Sequence, residues 1–412
     1  MARAPPGGGT VSRRLVLAAA SAVLSLALAA CGSPGQPGSA GGGSDASASG
    51  SPVKVGLVYS KTGPLATYGE QYRQGFTAGL DYATKGTNAV KGRTVEITEQ
   101  DDAGDPAKAV SAATDLIGQG VKVLAGSTSS GVALQVAPLA QDNKVLFISG
   151  PAAVDAVTGA NKYTFRSGRQ TYQDVATAGT MIGDVSGKKV TVLAQDSAFG
   201  KANVAAVTAV LGGKGATVTP VEVPAAATEF TPFASKVKAA KPDLLFVAWA
   251  GANATQMWTS LSQQGVFDVT TVVTGLDIKP THALFGASAT KIDFLSHFFD
   301  GAADNAAYQA LDAGMKKQGG TVDLFTNDGF VAAQMVVHAL EASADDTGAM
   351  VKALEGWSFE GPKGSMEIRA EDHALLQPMF TASLVKEGDG YVAKLDKTLD
   401  PAAVAPPVTP FK

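Results

Sequence analysis

The chain has 412 residues, with 33 basic and 37 acidic side chains, a formal net charge of −4 and a single cysteine. A mildly acidic balance offers no electrostatic footprint for nucleic acid, and one thiol excludes an intrachain disulfide. The fold must rest on its apolar core, and the roughly 360 residues from Val53 onward are ample for two domains.

The chain opens with Ser12-Arg13-Arg14, an apolar run from Leu15 to Leu28, and Ala29-Ala30-Cys31. A basic start, an apolar stretch and a small-residue cleavage point, in that order, describe a secretory signal. Val16 to Ala30 falls short of the roughly 20 apolar residues that a membrane span needs. The segment resembles a bacterial lipoprotein signal. Leu28-Ala29-Ala30-Cys31 matches a lipobox, which is cut before the cysteine, whose thiol then carries a diacylglycerol. The resemblance implies a signal peptide over residues 1–30 and lipidation at Cys31. Ser12-Arg13-Arg14 also resembles a twin-arginine export signal, with Val16 where that motif favours phenylalanine, so both export routes stay open. Arg3, Arg13 and Arg14 leave with the signal, so 30 basic residues face 37 acidic ones in the mature chain, a net charge of −7. Residues 31–52 are mostly Gly, Ser, Pro and Ala, a composition that builds no core. They read as a flexible tether with a root-mean-square reach of roughly 25 Å.

The folded body begins with the apolar strand Val53 to Tyr59. A helix follows from about Tyr68 to Ala83, then a strand at Thr94 to Thr98. Asp105-Pro106 opens the next helix with a capping acid and a first-turn proline. Its buried face is Ala109, Ala113, Leu116 and Ile117. Lys122 to Gly126 is a strand, Ala133, Val136, Ala137 and Ala140 mark a helix, and Val145 to Ser149 is a strand. Alternation of this kind means a parallel sheet with helices on both faces. The pattern restarts at Lys189 to Ala194, with a helix carrying Val204, Val207 and Leu211 and a strand at Val218 to Val223. A capped helix starts at Thr231-Pro232, and strands follow at Leu244 to Ala250 and Thr271 to Gly275. Two helices, Ala306 to Gln318 and Asp328 to Ala344, and hairpin-like strands from Gly364 to Leu395 complete lobes already begun.

Seven stretches in order carry a resemblance. They are Ser60 to Gly69, Asp101 to Pro106, Gly126 to Ser130, Phe147-Ile148-Ser149, Phe165-Arg166, Gly329 to Gln334, and Gly361 to Gly364 with Met366 to Asp372. From Val53 to about Leu395 the chain is similar to type I solute-binding proteins of the leucine/isoleucine/valine-binding family, which serve ABC importers. The resemblance implies an α/β fold of two lobes, each a parallel sheet flanked by helices, joined by three crossovers and closing on a ligand like a clamp. The expected division is residues 53–168 with 298–380 for one lobe and 169–297 with 381–398 for the other, followed by a tail over 399–412.

The hydroxyl-rich Ser127-Thr128-Ser129-Ser130 turn lies between a strand end and a helix start. Free backbone N–H groups and hydroxyls there meet the positive end of a helix dipole, which suits a carboxylate. An ordinary serine-rich helix cap is the alternative. Ser130 matches the family serine that holds the ligand carboxylate, with Ser129 beside it. The loop of Pro151, Ala152 and Ala153 follows the neighbouring strand end. Tyr68 matches an aromatic that covers the ligand, though packing on its own loop would also explain it. Phe199 stands where many members carry tyrosine. Trp249, at a strand end, belongs to core or site. The family's amino-acid binders set a glutamate against the ligand ammonium, and here only Asp277, displaced by about one position, could serve. They also carry a loop threonine where Ala153 or Val154 stands. These departures favour a ligand with an anionic end and an apolar or aromatic body. Arg166 and Arg169, at the first expected crossover, either tie strand ends together or offer one guanidinium to an acidic ligand.

No catalytic constellation stands out. His282, His297, His338 and His373 lack metal-ligand spacing, no Gly-x-Ser-x-Gly elbow occurs, and the dinucleotide fingerprint fails. The expectation is a non-enzyme without cofactor or metal, a monomer exported and held by lipid at the outer face of the cytoplasmic membrane. Its expected partners are a small-molecule ligand and ABC permease subunits. A lipoprotein that senses ligand and signals without transport uses the same clamp and stays open.

Overall fold

The structure is a computed structural model that describes residues 50–251 and 253–412. The signal and lipidation expected up to Cys31 lie outside the described residues, as does most of the tether. The first lobe is built from β1 (Val53–Tyr59), α1 (Ala66–Ala83), β2 (Ala89–Val90), β3 (Arg93–Asp101), α2 (Pro106–Gly118), β4 (Val123–Gly126), α3 (Ser130–Asn143), β5 (Leu146–Ser149) and β6 (Thr164–Arg166). Its sheet runs β2-β3-β1-β4-β5-β6, parallel except for the short edge strand β2. β4 and β5 are buried at every residue, which is why they read as unbroken apolar runs. Asp105 caps α2 by accepting from the Ala107 and Lys108 N–H groups.

The chain then crosses to a second lobe of α4 (Thr171–Gly179), β7 (Lys189–Asp196), α5 (Ala198–Val210), β8 (Thr217–Pro224), α6 (Thr231–Ala240), β9 (Leu244–Ala248), α7 (Ala254–Gln263), β10 (Thr271–Gly275), α8 (His282–Phe285) and β11 (Ile292–Ser296). It crosses back to α9 (Ala306–Lys317), α10 (Thr326–Ala342) and α11 (Thr347–Leu354), and to a small antiparallel sheet of β12 (Ser358–Gly361), β13 (Gly364–Ile368) and β14 (Leu375–Leu376). A third crossing at Gln377-Pro378 leads into the hairpin β15 (Met379–Glu387) and β16 (Gly390–Leu399), which completes the second sheet in the order β16-β15-β11-β10-β9-β7-β8.

Two expectations need correction. Thr231 does not cap α6: Phe230 holds the cap position and no side-chain bond is made there. After Phe299 the chain forms three helices rather than two, and Asp346 caps the third through the Gly348 and Ala349 N–H groups.

α1 and α10 lie almost in backbone contact. A side-chain carbon on Gly75 would overlap the Thr326 carbonyl, and one on Gly329 would overlap that of Tyr72. Close approach of this kind requires glycine, and it fixes α10 under the first sheet. The final residues do not trail away. Arg369 Nη1 donates to Pro406 O at 2.8 Å, Thr409 N to Asp372 Oδ2 at 2.9 Å and Lys412 N to Gly159 O at 3.2 Å. The chain therefore passes from β16 back onto the first lobe.

Candidate ligand-binding cleft

The carboxyl ends of both parallel sheets face one another, the place where open α/β sheets bind ligands. Between them lies a cavity of about 630 Å³. Its first wall begins with a constrained turn. Gly126 has φ +128° and Ser127 φ +67°, and a Cβ on Gly126 would overlap the Val58 carbonyl. The left-handed Ser127 is held by its N–H on Val58 O at 2.8 Å and its Oγ on Ser149 Oγ at 3.0 Å. That turn aims Ser129 and Ser130 at the cavity. Ser129 is the extended N-cap of α3, yet its side chain makes no capping bond. The Ser130 hydroxyl also meets no partner among the described residues. The first-turn N–H groups of α3 have no intrahelical acceptor, so hydroxyls and N–H groups converge on one patch of the wall.

Pro151 and Ala153 line the same wall, but Ala152 does not: it turns into a small core with Ala133, Val154 and Val157. The opposite wall is apolar. Phe199 is presented at the start of α5, which Ser197 caps through Gly200 N. Trp249 lies edge-on to Phe230, its Nε1 bonded to Asn253 Oδ1 at 3.1 Å. It lines the cavity while packing on the core, so both readings of it apply.

Tyr68 and Asp277 both line the cavity, and each engages the other. The Tyr68 hydroxyl donates to Asp277 Oδ1 at 2.8 Å, a part-buried bond that joins the lobes, and its ring packs on Phe325 with centroids 4.5 Å apart. Asp277 also accepts from Ile278 N at 2.8 Å. Burial pushes its carboxyl above the ordinary range, opposed by these bonds. A carboxylate so occupied is a poor seat for a ligand ammonium. Tyr68→Phe is expected to weaken ligand binding by about tenfold, since a bond to a charged acceptor is worth about 1.5–3 kcal/mol. Small-angle scattering of the ligand-free variant should show a larger radius of gyration. An unchanged radius and affinity would mean that this bond does not favour closure.

The two crossover arginines divide the roles considered for them. Arg166 is 1% exposed and donates from Nε to Thr158 Oγ1, from Nη1 to Arg169 O and from Nη2 to Val154 O, at 3.0, 2.8 and 2.7 Å. It ties the loop to the crossover and is absent from the cavity lining. Arg169 lines the cavity floor, with Nε on Asp174 Oδ2 at 3.2 Å and Nη1 on Pro151 O at 2.8 Å. Asp174 and His297 join it there. Beneath lie Asp328, whose Oδ2 is 3.6 Å from His297 Nε2, and Lys363, whose Nζ donates to His297 O at 2.7 Å. Burial pushes the Asp328 carboxyl up and the Lys363 ammonium down, each opposed by the other's charge, and holds the His297 imidazole well below its ordinary range. Sequence reasoning missed Asp174, His297, Asp328 and Lys363. The available signal was that His297 directly follows β11, whose carboxyl end faces the cleft.

A two-lobed α/β clamp around a cavity with a donor-rich wall and an apolar wall is the architecture of a solute receptor. Residues 52–389 match the family model described as "Periplasmic binding protein", and the chain belongs to that family. Among curated relatives, it is 27% identical over 362 residues to Leu/Ile/Val-binding protein homolog 3 of Brucella melitensis, covering 85% of this chain and 95% of that one. An ABC-type branched-chain amino acid transporter protein of Rhodopseudomonas palustris superposes with a TM-score of 0.72 at 31% identity, over 87% of this chain and all of that one. A solute-binding protein from R. palustris in complex with 4-hydroxybenzoate shares the fold, with a TM-score of 0.78 at 22% identity, over 85% of this chain and 97% of that one. The family comprises receptors for small solutes of ABC-type transporters. Among the described residues no helix is long and apolar enough to cross a membrane.

Proposed function

We propose that the protein is a lipid-anchored receptor that captures a carboxylate-bearing ligand with an apolar or aromatic body and delivers it to an ABC importer. The observation that carries this reading is the unpartnered Ser130 hydroxyl beside the free N–H groups of α3, facing Phe199 and Trp249 across the cavity. The occupied Asp277 argues against an α-amino acid. The aromatic acid held by one relative of the same fold supports the choice of body. A thermal-shift screen over aromatic acids, branched-chain amino acids and short amides tests it. A ligand at a hundredfold excess over its dissociation constant adds about 2.7 kcal/mol to stability. Aromatic acids should raise the melting temperature and leucine should not. A shift with leucine alone overturns the proposed ligand class.

Anchoring rests on Cys31, the only cysteine, preceded by Leu28-Ala29-Ala30. Cys31→Ser should either move the protein to the aqueous fraction or leave the signal uncut. A variant that is correctly processed and still sediments with membranes would refute lipid attachment.

A further inference from the structure

The cavity floor differs from both walls. Arg169, Asp174 and His297 line it and are 9%, 5% and 3% exposed. Asp174 Oδ1 and His297 Nε2 have no hydrogen-bond partner among the described residues and are fully enclosed. A ligand cannot touch those two atoms without displacing what covers them. Arg169 differs. Its Nε and Nη1 are committed to Asp174 and Pro151, its Nη2 meets no acceptor among the described residues, and Nη2 is not among the enclosed atoms. One charge-bearing donor edge is thus open at the floor of a cavity otherwise walled there by Leu295, Leu324 and Phe325.

Charge decides what this edge accepts. Arg169 and Lys363 are matched by Asp174 and Asp328, whose fields act on one another. The floor is therefore balanced before any ligand arrives. A second carboxylate there would stand beside Asp174 and Asp328 with no surplus cation, and a like charge at close range is disfavoured. An ammonium would face the guanidinium and could only donate, whereas the floor needs an acceptor. A methyl group would leave a buried donor unmade, at the cost of its desolvation. The remaining chemistry is a neutral oxygen. The α3 patch has free donors and no acid of its own, so the carboxylate goes to that wall.

We propose that Arg169 Nη2 is a second anchor, donating to a neutral oxygen (hydroxyl, ether or carbonyl) on the end of the ligand remote from its carboxylate. This rests on the reading that the ligand is an apolar-bodied acid seated on α3. The ligand class narrows to oxygen-substituted acids, and Arg169 becomes a specificity-determining residue.

Calorimetry with matched acids tests it. Para-methoxy and para-ethyl benzoates, phenylacetates and cinnamates have nearly the same shape within each pair, and only the methoxy member accepts a hydrogen bond. In the best-fitting pair the methoxy acid should bind the wild-type protein at least about tenfold more tightly, equivalent to about 1.4 kcal/mol. In Arg169→Met/Asp174→Asn, which removes both charges together, that ratio should fall below about twofold. In Ser130→Ala both members should weaken together with the ratio kept. Equal wild-type affinities, or a ratio that survives the double variant, would overturn the second anchor and leave the carboxylate seat standing. If none of the six acids binds, the carboxylate reading fails and takes this proposal with it. Should the double variant not fold, the wild-type ratio alone decides.

Discussion

Arg166→Met is expected to cost about 3–5 kcal/mol of stability, although Arg166 touches no part of the cavity. Its three donor nitrogens each meet a buried acceptor, on Thr158, Arg169 and Val154. Methionine fills much of the same space and satisfies none of them, and each abandoned acceptor costs about 1–3 kcal/mol. Arg166→Lys should fare little better. A lysine is a single point of charge on a flexible stem and cannot serve three directions at once, whereas the planar fork can. Burial already pushes the guanidinium down to about 10, which leaves it charged at neutral pH but marks the site as a poor one for a more strongly hydrated ammonium. Denaturant unfolding with an unchanged slope is the measurement. A lysine variant within about 1 kcal/mol of wild type would show that charge, and not fork geometry, holds the crossover.

Ser130→Ala is expected to lower ligand affinity by about one to two decades while leaving the fold intact. The hydroxyl has no partner among the described residues, so its removal is expected to take nothing from the folded state, and substitutions away from such features stay within about 0.5 kcal/mol. In the complex the same hydroxyl would donate to a carboxylate, a bond worth about 1.5–3 kcal/mol. Alanine keeps the backbone N–H at the start of α3, so binding should weaken and not vanish. Calorimetry with the acid found by screening gives the answer. Wild-type affinity in Ser130→Ala, together with loss of binding in Trp249→Ala, would make the site apolar and remove the anion seat.

The serine-rich turn was legible because everything that makes it lies within a few residues: an apolar strand, a glycine, four hydroxyls and a helix. Tyr68 and Phe199 came from the resemblance to the family, and Trp249 from its place at a strand end; all three line the cavity. Asp277 was found but its partner was not. It bonds Tyr68 from 209 residues away, and no local period reports such a pairing. The polar floor failed for the same reason, since Asp174, His297, Asp328 and Lys363 come from four separated segments that only the crossovers bring together. Ala152 was a local error: the loop alternates, so Pro151 and Ala153 face the cavity while the residue between them packs into the core. Residues 399–412 read as a tail, yet Asp372, Arg369 and Gly159 supply backbone and side-chain partners that local sequence does not reveal.

The return of the last residues onto the first lobe has a practical result for anyone building an optical sensor from this clamp. β1 starts in the first lobe, and Lys412 bonds Gly159 in that same lobe. Two fluorophores attached at the exposed Lys54 and Lys412 would ride on the same half and keep their separation whether the jaws are open or shut. One dye belongs on the other half, and the exposed Gly388-Asp389 turn of the β15–β16 hairpin is a suitable place for it. With that placement, energy transfer between the dyes would change as the jaws move, and the same protein would report on its own cargo.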